Sequence, residues 1–103
     1  MTEVDLTIAK KHLYRLLGAR EFPKTICPSE AARALSTAEL HESGVDDWRE
    51  LMVALRKLAF ELRDQGEIEV LQRGAVLPRH QAVADTRGPI RLRKVQQRAS
   101  HGG

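Results

Sequence analysis

The fold is decided by residues 46–73, which read DDWRELMVALRKLAFELRDQGEIEVLQR. Over residues 46–65 the apolar side chains recur at helical spacing and fall within about one third of the helix circumference. Gly66 then stands where a helix ends, and residues 67–73 alternate in polarity as a half-buried strand does. The stretch therefore predicts a long amphipathic helix that leads directly into a β-strand.

Two further helices are predicted N-terminal to this stretch. Residues 5–17 (DLTIAKKHLYRLL) repeat leucine and alanine at helical spacing, and Gly18 follows as a stop. An extended link comes next, in which residues 25–26 are suited to a very short strand. The next helix is predicted to start at Pro28, because proline lacks the N–H that a first helical position leaves unpaired.

A second strand is predicted near the C-terminus. In residues 89–95 (PIRLRKV), isoleucine and leucine alternate with arginine, after an irregular loop that begins at Gly74. The resulting order is helix, short extended link, helix, helix, strand, loop, strand. It predicts an α+β fold, a winged helix-turn-helix with three helices and a two-stranded β-wing. We expect one domain over residues 1–95 and a disordered basic tail over residues 96–103.

Three stretches together resemble a known family: TICPSEAARAL, WRELMVALRKLAFELRDQGEIEVLQRG and RGPIRLRK. This combination resembles a small bacterial family that is catalogued only as a domain of unknown function and is grouped with winged-helix proteins. The resemblance covers residues 6–94. It implies a winged-helix fold and a bacterial origin, and it implies no activity, cofactor or site.

The composition is that of a folded domain with an aliphatic core. Hydrophobic residues make up 42% of the 103 residues and aromatic residues 4%. The chain has no apolar run of the roughly 18 residues that a membrane span needs, and its first residues lack the pattern of a signal peptide. The single cysteine is in keeping with a reducing compartment. We therefore expect a cytoplasmic protein without a membrane partner.

Positive charge is concentrated in the C-terminal half. The formal net charge is +3, but residues 1–50 carry 7 Lys/Arg against 9 Asp/Glu, whereas residues 51–103 carry 10 against 5. From residue 70 to the end there are seven basic residues and one acid, Asp85. This asymmetry favours a polyanion as partner, although a solvated basic tail has the same composition.

Catalytic and metal chemistry find little support in the sequence. Cys27 stands at a predicted helix N-terminus, where the helix dipole favours the thiolate. A nucleophilic thiol also needs a base, and the histidines form no recognisable pattern with Cys27. Zinc would need paired Cys or His ligands at short spacing, which are absent. We expect Cys27 to be a small buried residue, and the protein to be no enzyme and to need no cofactor or metal.

Two sets of basic residues are candidates for phosphate contacts with double-stranded DNA. Arginines recur every seven residues along the third predicted helix and so lie on one ridge, and a second group follows the wing. The candidates are Arg49, Arg56 and Arg63 on the helix, and Arg87, Arg91, Arg93 and Lys94 on the wing. The alternative is a solvated helix face together with an edge strand that is protected by charge.

Other features point away from base-specific reading. Asp46, Asp47 and Glu50 lie at the start of the third predicted helix, where they would face phosphates unfavourably. The link before that helix is also longer than a compact helix-turn-helix allows. The alternative function is a protein–protein interaction module, with a protein partner or a second copy docking on Val53 and Phe60 beside the arginine ridge. Nucleic-acid binding, with a regulatory role, remains the leading hypothesis.

Overall fold

The computed structural model describes residues 4–95, so the tail predicted for residues 96–103 lies outside the described residues. The fold is α+β, as predicted. Its α-helices are α1 (Thr7–Ala19), α2 (Pro28–Arg33), α3 (Thr37–Glu42) and α4 (Met52–Asp64), and its strands are β1 (Ile68–Gln72), β2 (Ala75–Val76) and β3 (Arg91–Lys94). Short 3₁₀ helices span Trp48–Leu51, directly before α4, and Val83–Asp85.

The three strands form one antiparallel sheet in the order β2-β1-β3. Leu71 pairs with Val76 across the first interface and with Arg91 across the second. An isolated bridge from Ile26 to Leu92 adds the extended link to the outer side of β3. The very short strand predicted at residues 25–26 is therefore confirmed at Ile26, and it ties the link between α1 and α2 to the sheet.

The core lies between α1, α2, α4 and the inner face of the sheet. Ala31 and Ala32 of α2 are fully buried, and their small side chains let this helix approach its neighbours closely. Leu13 of α1, Leu55 of α4 and Val70 of β1 belong to the same buried cluster. The helical spacing of apolar residues that predicted α1 and α4 thus shows which side of each helix faces the core.

The predicted counts of three helices and two strands were too low. Residues 37–42 form a separate helix, α3, because Ser36 and Glu39 make a capping box: the Ser36 hydroxyl accepts from the Glu39 N–H at 3.1 Å, and the Glu39 carboxylate accepts from the Ser36 N–H at 2.9 Å. A two-residue turn at Arg73 and Gly74 creates the additional strand β2. The order of elements remains compatible with a winged-helix arrangement, with α4 followed by the hairpin and the β1–β3 pair.

A hydrogen bond between Tyr14 and Glu67 ties α1 to the turn before β1. The Tyr14 hydroxyl donates to the Glu67 carboxylate at 2.6 Å. Because this bond favours the protonated phenol, it raises the pKa of Tyr14 from 10.0 to about 12, with smaller contributions from burial and from the carboxylate charge.

The Tyr14 contact should make stability fall at alkaline pH. Since the pKa is higher in the folded than in the unfolded chain, the contribution is fully present below pH 10 and is lost as the pH rises towards 12. Tyr14 is the only tyrosine, so tyrosinate absorbance measures its titration while Trp48 fluorescence reports folding. We expect Glu67→Gln to bring the Tyr14 titration back towards its ordinary range. Ordinary titration of Tyr14 in the folded wild-type protein would contradict the contact.

Candidate nucleic-acid interface

Arg63 does not lie on an exposed ridge of α4. It is 6% exposed, and its guanidinium donates to the carbonyl oxygens of Gln81 at 2.7 Å and Pro78 at 3.3 Å. The same group pairs with the Asp64 carboxylate at 2.8 Å and stacks over the Phe60 ring, 4.7 Å from its centroid. These contacts occupy the guanidinium and hold the loop after β2 against α4.

Arg56 lies seven residues before Arg63 on α4 and binds the same loop. Its guanidinium donates to the carbonyl oxygens of Thr86 at 2.7 Å and Gly88 at 2.8 Å. The expectation of a free arginine ridge is therefore corrected for Arg56 and Arg63, because the loop of residues 77–88 docks on that side of the helix and takes up both guanidinium groups. Substitution of either residue is therefore expected to lower the free energy of unfolding, because it removes bonds between α4 and the loop. It is not expected to act directly on contacts with a partner.

Arg49 is the one member of the predicted ridge that stays exposed in the structure. It stacks on the Trp48 ring at 4.6 Å and lies 3.4 Å from the Asp47 carboxylate. The exposed face of α4 carries charges of both signs, including Lys57 and Glu61. The mixed charge of this face makes it unfavourable for binding a polyanion.

The two residues expected to form a docking surface are separated by the fold. Val53 is 74% exposed, whereas Phe60 is 4% exposed and belongs to the hydrophobic core. The guanidinium of Arg63, which anchors the loop, lies over the buried ring. An exposed Val53 alone is an ordinary surface feature.

The predicted wing residues differ in how much they are already engaged. Arg93 of β3 pairs with the Glu69 carboxylate at 2.6 Å and stacks on Phe22, so it joins the strands and the link. Arg91 is exposed and donates from Nε to the Thr25 hydroxyl at 3.0 Å. Arg87 is exposed and Lys94 is half-buried. Arg87, Arg91 and Lys94 are thus the candidates of this group that have no carboxylate partner within residues 4–95.

Sequence reasoning missed Arg73 as a candidate. It lies in the turn that joins β1 to β2, between the paired residues Gln72 and Ala75. Arg73 has φ of 54° and Gly74 has φ of 82°, as the two central residues of a type I′ hairpin turn do. The Arg73 side chain is exposed. The signal for this turn in the sequence was the adjacent pair Arg73 and Gly74, which stands between two apolar stretches.

Contacts of the wing bring several of these cations to one region. The Gln72 side-chain amide donates to the carbonyl oxygens of Arg87 and Pro89, which holds the loop beside the hairpin turn. Arg91 is paired with Leu71 on β1, two residues before Arg73, so it lies at the same end of the sheet as the hairpin turn. We call this group the sheet-end cluster. It comprises Arg73, Arg87 and Arg91.

Cys27 and possible metal ligands are the remaining candidates for chemistry in the described residues. Cys27 is half-buried at the start of α2, where its sulfur accepts from the Ser29 hydroxyl at 3.0 Å and its N–H donates to Glu30. Residues 4–95 contain no group of three or more His, Cys, Asp or Glu that could hold a metal ion. No helix in this range is long and apolar enough to cross a membrane.

Comparison with known proteins places the chain in a family but assigns it no activity. A family model described as "Protein of unknown function (DUF3253)" matches residues 7–95. The match covers all the helices and strands described above, from α1 to β3. No curated protein matches the chain.

Proposed function

The chain belongs to the DUF3253 family, and we propose that it is a nucleic-acid-binding module that holds double-stranded DNA by its phosphates through the sheet-end cluster. On this proposal it is a binding module with a regulatory role that carries out no catalytic step and works in the cytoplasm. The helices and the β1–β3 pair serve as the scaffold that holds the cationic groups in place.

The observation that carries the proposal is the backbone conformation of Arg73. A non-glycine residue in the left-handed region costs about 1 kcal/mol, and asparagine or glycine would fill the first central position of this turn at lower cost. The exposed side chain does not recover that cost by packing. Strain of this kind is typical of residues that serve a ligand rather than the fold.

The charge balance supports a polyanion at the same place. Residues 70–95 carry six basic side chains and one acid, Asp85. By contrast, the segment that leads into α4 carries Asp46, Asp47 and Glu50, which disfavour insertion of this helix end among phosphates. Contacts to phosphates position a protein without reading bases, so the proposal is binding with little sequence preference.

The first experiment measures binding itself. Fluorescence anisotropy of a labelled random duplex is titrated with the purified protein at low and at near-physiological salt. We expect binding that weakens steeply as salt rises, because each phosphate contact releases counterions. No binding at low salt would refute DNA binding and would turn attention to a protein partner on the α4 face.

Replacement of Arg73 separates a functional from a structural role. Arg73→Asn relieves the strain and should raise the free energy of unfolding by about 0.5–1 kcal/mol, while it weakens DNA binding through the loss of one cation. Arg73→Lys keeps both the charge and the strain, and should leave both quantities close to wild type. A more stable Arg73→Asn protein that binds DNA as well as wild type would exclude Arg73 from the interface.

A further inference from the structure

A second cationic feature lies away from the sheet-end cluster, in an open cleft between α1 and α3. The cleft has a volume of about 370 Å³ and is lined by Ile8, Lys11, His12 and Arg15 of α1 and by Glu39 of α3. This volume is at the lower end of the range of small-molecule sites. Its lining combines one apolar side chain with several polar groups, as the linings of small-molecule sites usually do.

His12 is hydrogen-bonded through both of its ring nitrogens in the cleft. The Arg15 Nη2 group lies 3.0 Å from His12 Nδ1, and a guanidinium can only donate, so Nδ1 accepts. His12 Nε2 therefore carries the proton and donates to the Glu39 carboxylate at 3.2 Å. Both ring nitrogens of His12 are thus engaged, and the ring holds Arg15 and Glu39 in place in the cleft.

Glu39 is the only acid lining the cleft and it stays ionised. The backbone N–H of Ser36 donates to its carboxylate at 2.9 Å and His12 donates to the same oxygen, and these two bonds lower the pKa of Glu39. Lys11 and Arg15 have no carboxylate partner within residues 4–95. Lys11, Arg15 and Glu39 therefore bring two positive charges and one negative charge to the cleft.

We propose that this cleft binds a small organic carboxylate, with the carboxylate on Lys11 and Arg15 and its apolar part on Ile8. A guanidinium suits a carboxylate through its remaining N–H groups, and the ammonium adds a second charged donor. The two cations outnumber the Glu39 carboxylate, so the cleft favours an anion, and a monoanion meets less repulsion from Glu39 than a phosphate dianion does. The proposal is independent of DNA binding, because it uses different residues.

The test uses benzoate as the probe and follows backbone amide NMR shifts across α1 and α3. Benzyl alcohol serves as a neutral probe of similar shape, and chloride at equal ionic strength controls for screening. We expect saturable shifts at Ile8, Lys11 and Arg15 with benzoate only. Equal shifts with benzyl alcohol, or shifts that chloride reproduces, would overturn the proposal.

Variants then locate the binding groups. Arg15→Gln should weaken benzoate binding about tenfold through the loss of a charge-assisted bond, and Lys11→Gln should weaken it less. Lys57→Gln, on the exposed face of α4, removes the same charge elsewhere and should leave binding unchanged. An equal loss in Arg15→Gln and Lys57→Gln would show attraction to overall charge and would refute the site.

Discussion

Replacement of Phe60 by alanine is expected to lower the free energy of unfolding by about 3–4 kcal/mol. The ring is 4% exposed within the core and supports the guanidinium of Arg63 from 4.7 Å. Alanine would leave a cavity and would remove the platform for the residue that anchors the loop. Urea denaturation followed by Trp48 fluorescence measures the loss, since Trp48 is the only tryptophan.

Val53→Ala is the matched control for Phe60→Ala. Val53 is on the same helix and 74% exposed, so its truncation should change stability by no more than about 0.5 kcal/mol. A Phe60→Ala protein as stable as wild type that had lost self-association or a protein partner would contradict burial of the ring. That result would favour a protein-docking function for α4.

Replacement of Arg63 by methionine is expected to cost about 2–3 kcal/mol. Methionine keeps much of the aliphatic contact with Phe60 but removes the charged donors to the carbonyl oxygens of Pro78 and Gln81. The loop of residues 77–88 should then open more readily, which hydrogen exchange detects at the amides of that loop.

The control for this change is Arg49→Met. Arg49 has the same side chain in an exposed position, and its loss should cost no more than about 0.5 kcal/mol. Similar unfolding free energies for Arg63→Met and Arg49→Met, with unchanged exchange in the loop, would show that Arg63 does not anchor it. Arg63 would then return to the list of exposed candidates.

The parts of the fold that periodicity determines were predictable. The apolar spacing of α1 and α4 reports which side of each helix is buried, and Pro28 marks the start of α2 through its missing N–H. The alternation in β1 and β3 likewise reports the buried positions Ile68, Val70 and Leu92, but it misses Leu71, which stands on the polar side of the pattern and is also buried. These signals are local, so one sequence contains them.

The candidate site depended on contacts that are not local. The spacing of Arg56 and Arg63 predicts that they share one side of α4, but nothing in that spacing reports that residues 77–88 cover this side. The loop has no periodicity from which docking could be predicted. Two of three arginines were therefore assigned to a partner when their hydrogen bonds are made within the chain.

The hairpin turn shows the opposite case, in which a functional candidate was overlooked. Arg73 was treated as the end of a strand, because arginine is uncommon at the first central position of a type I′ turn. The structure brings Arg73 near Arg87 through Gln72, although the two arginines are separated in sequence by the whole loop.

The most direct test of the account compares the salt dependence of DNA binding for two double variants that lose the same charge. Arg73→Gln with Arg87→Gln removes two cations of the sheet-end cluster, and Arg49→Gln with Lys57→Gln removes two from the exposed side of α4. We predict that the slope of log K against log salt falls by about 2 for the first pair and stays at the wild-type value for the second. Equal slopes for the two double variants would contradict a DNA interface at the sheet end.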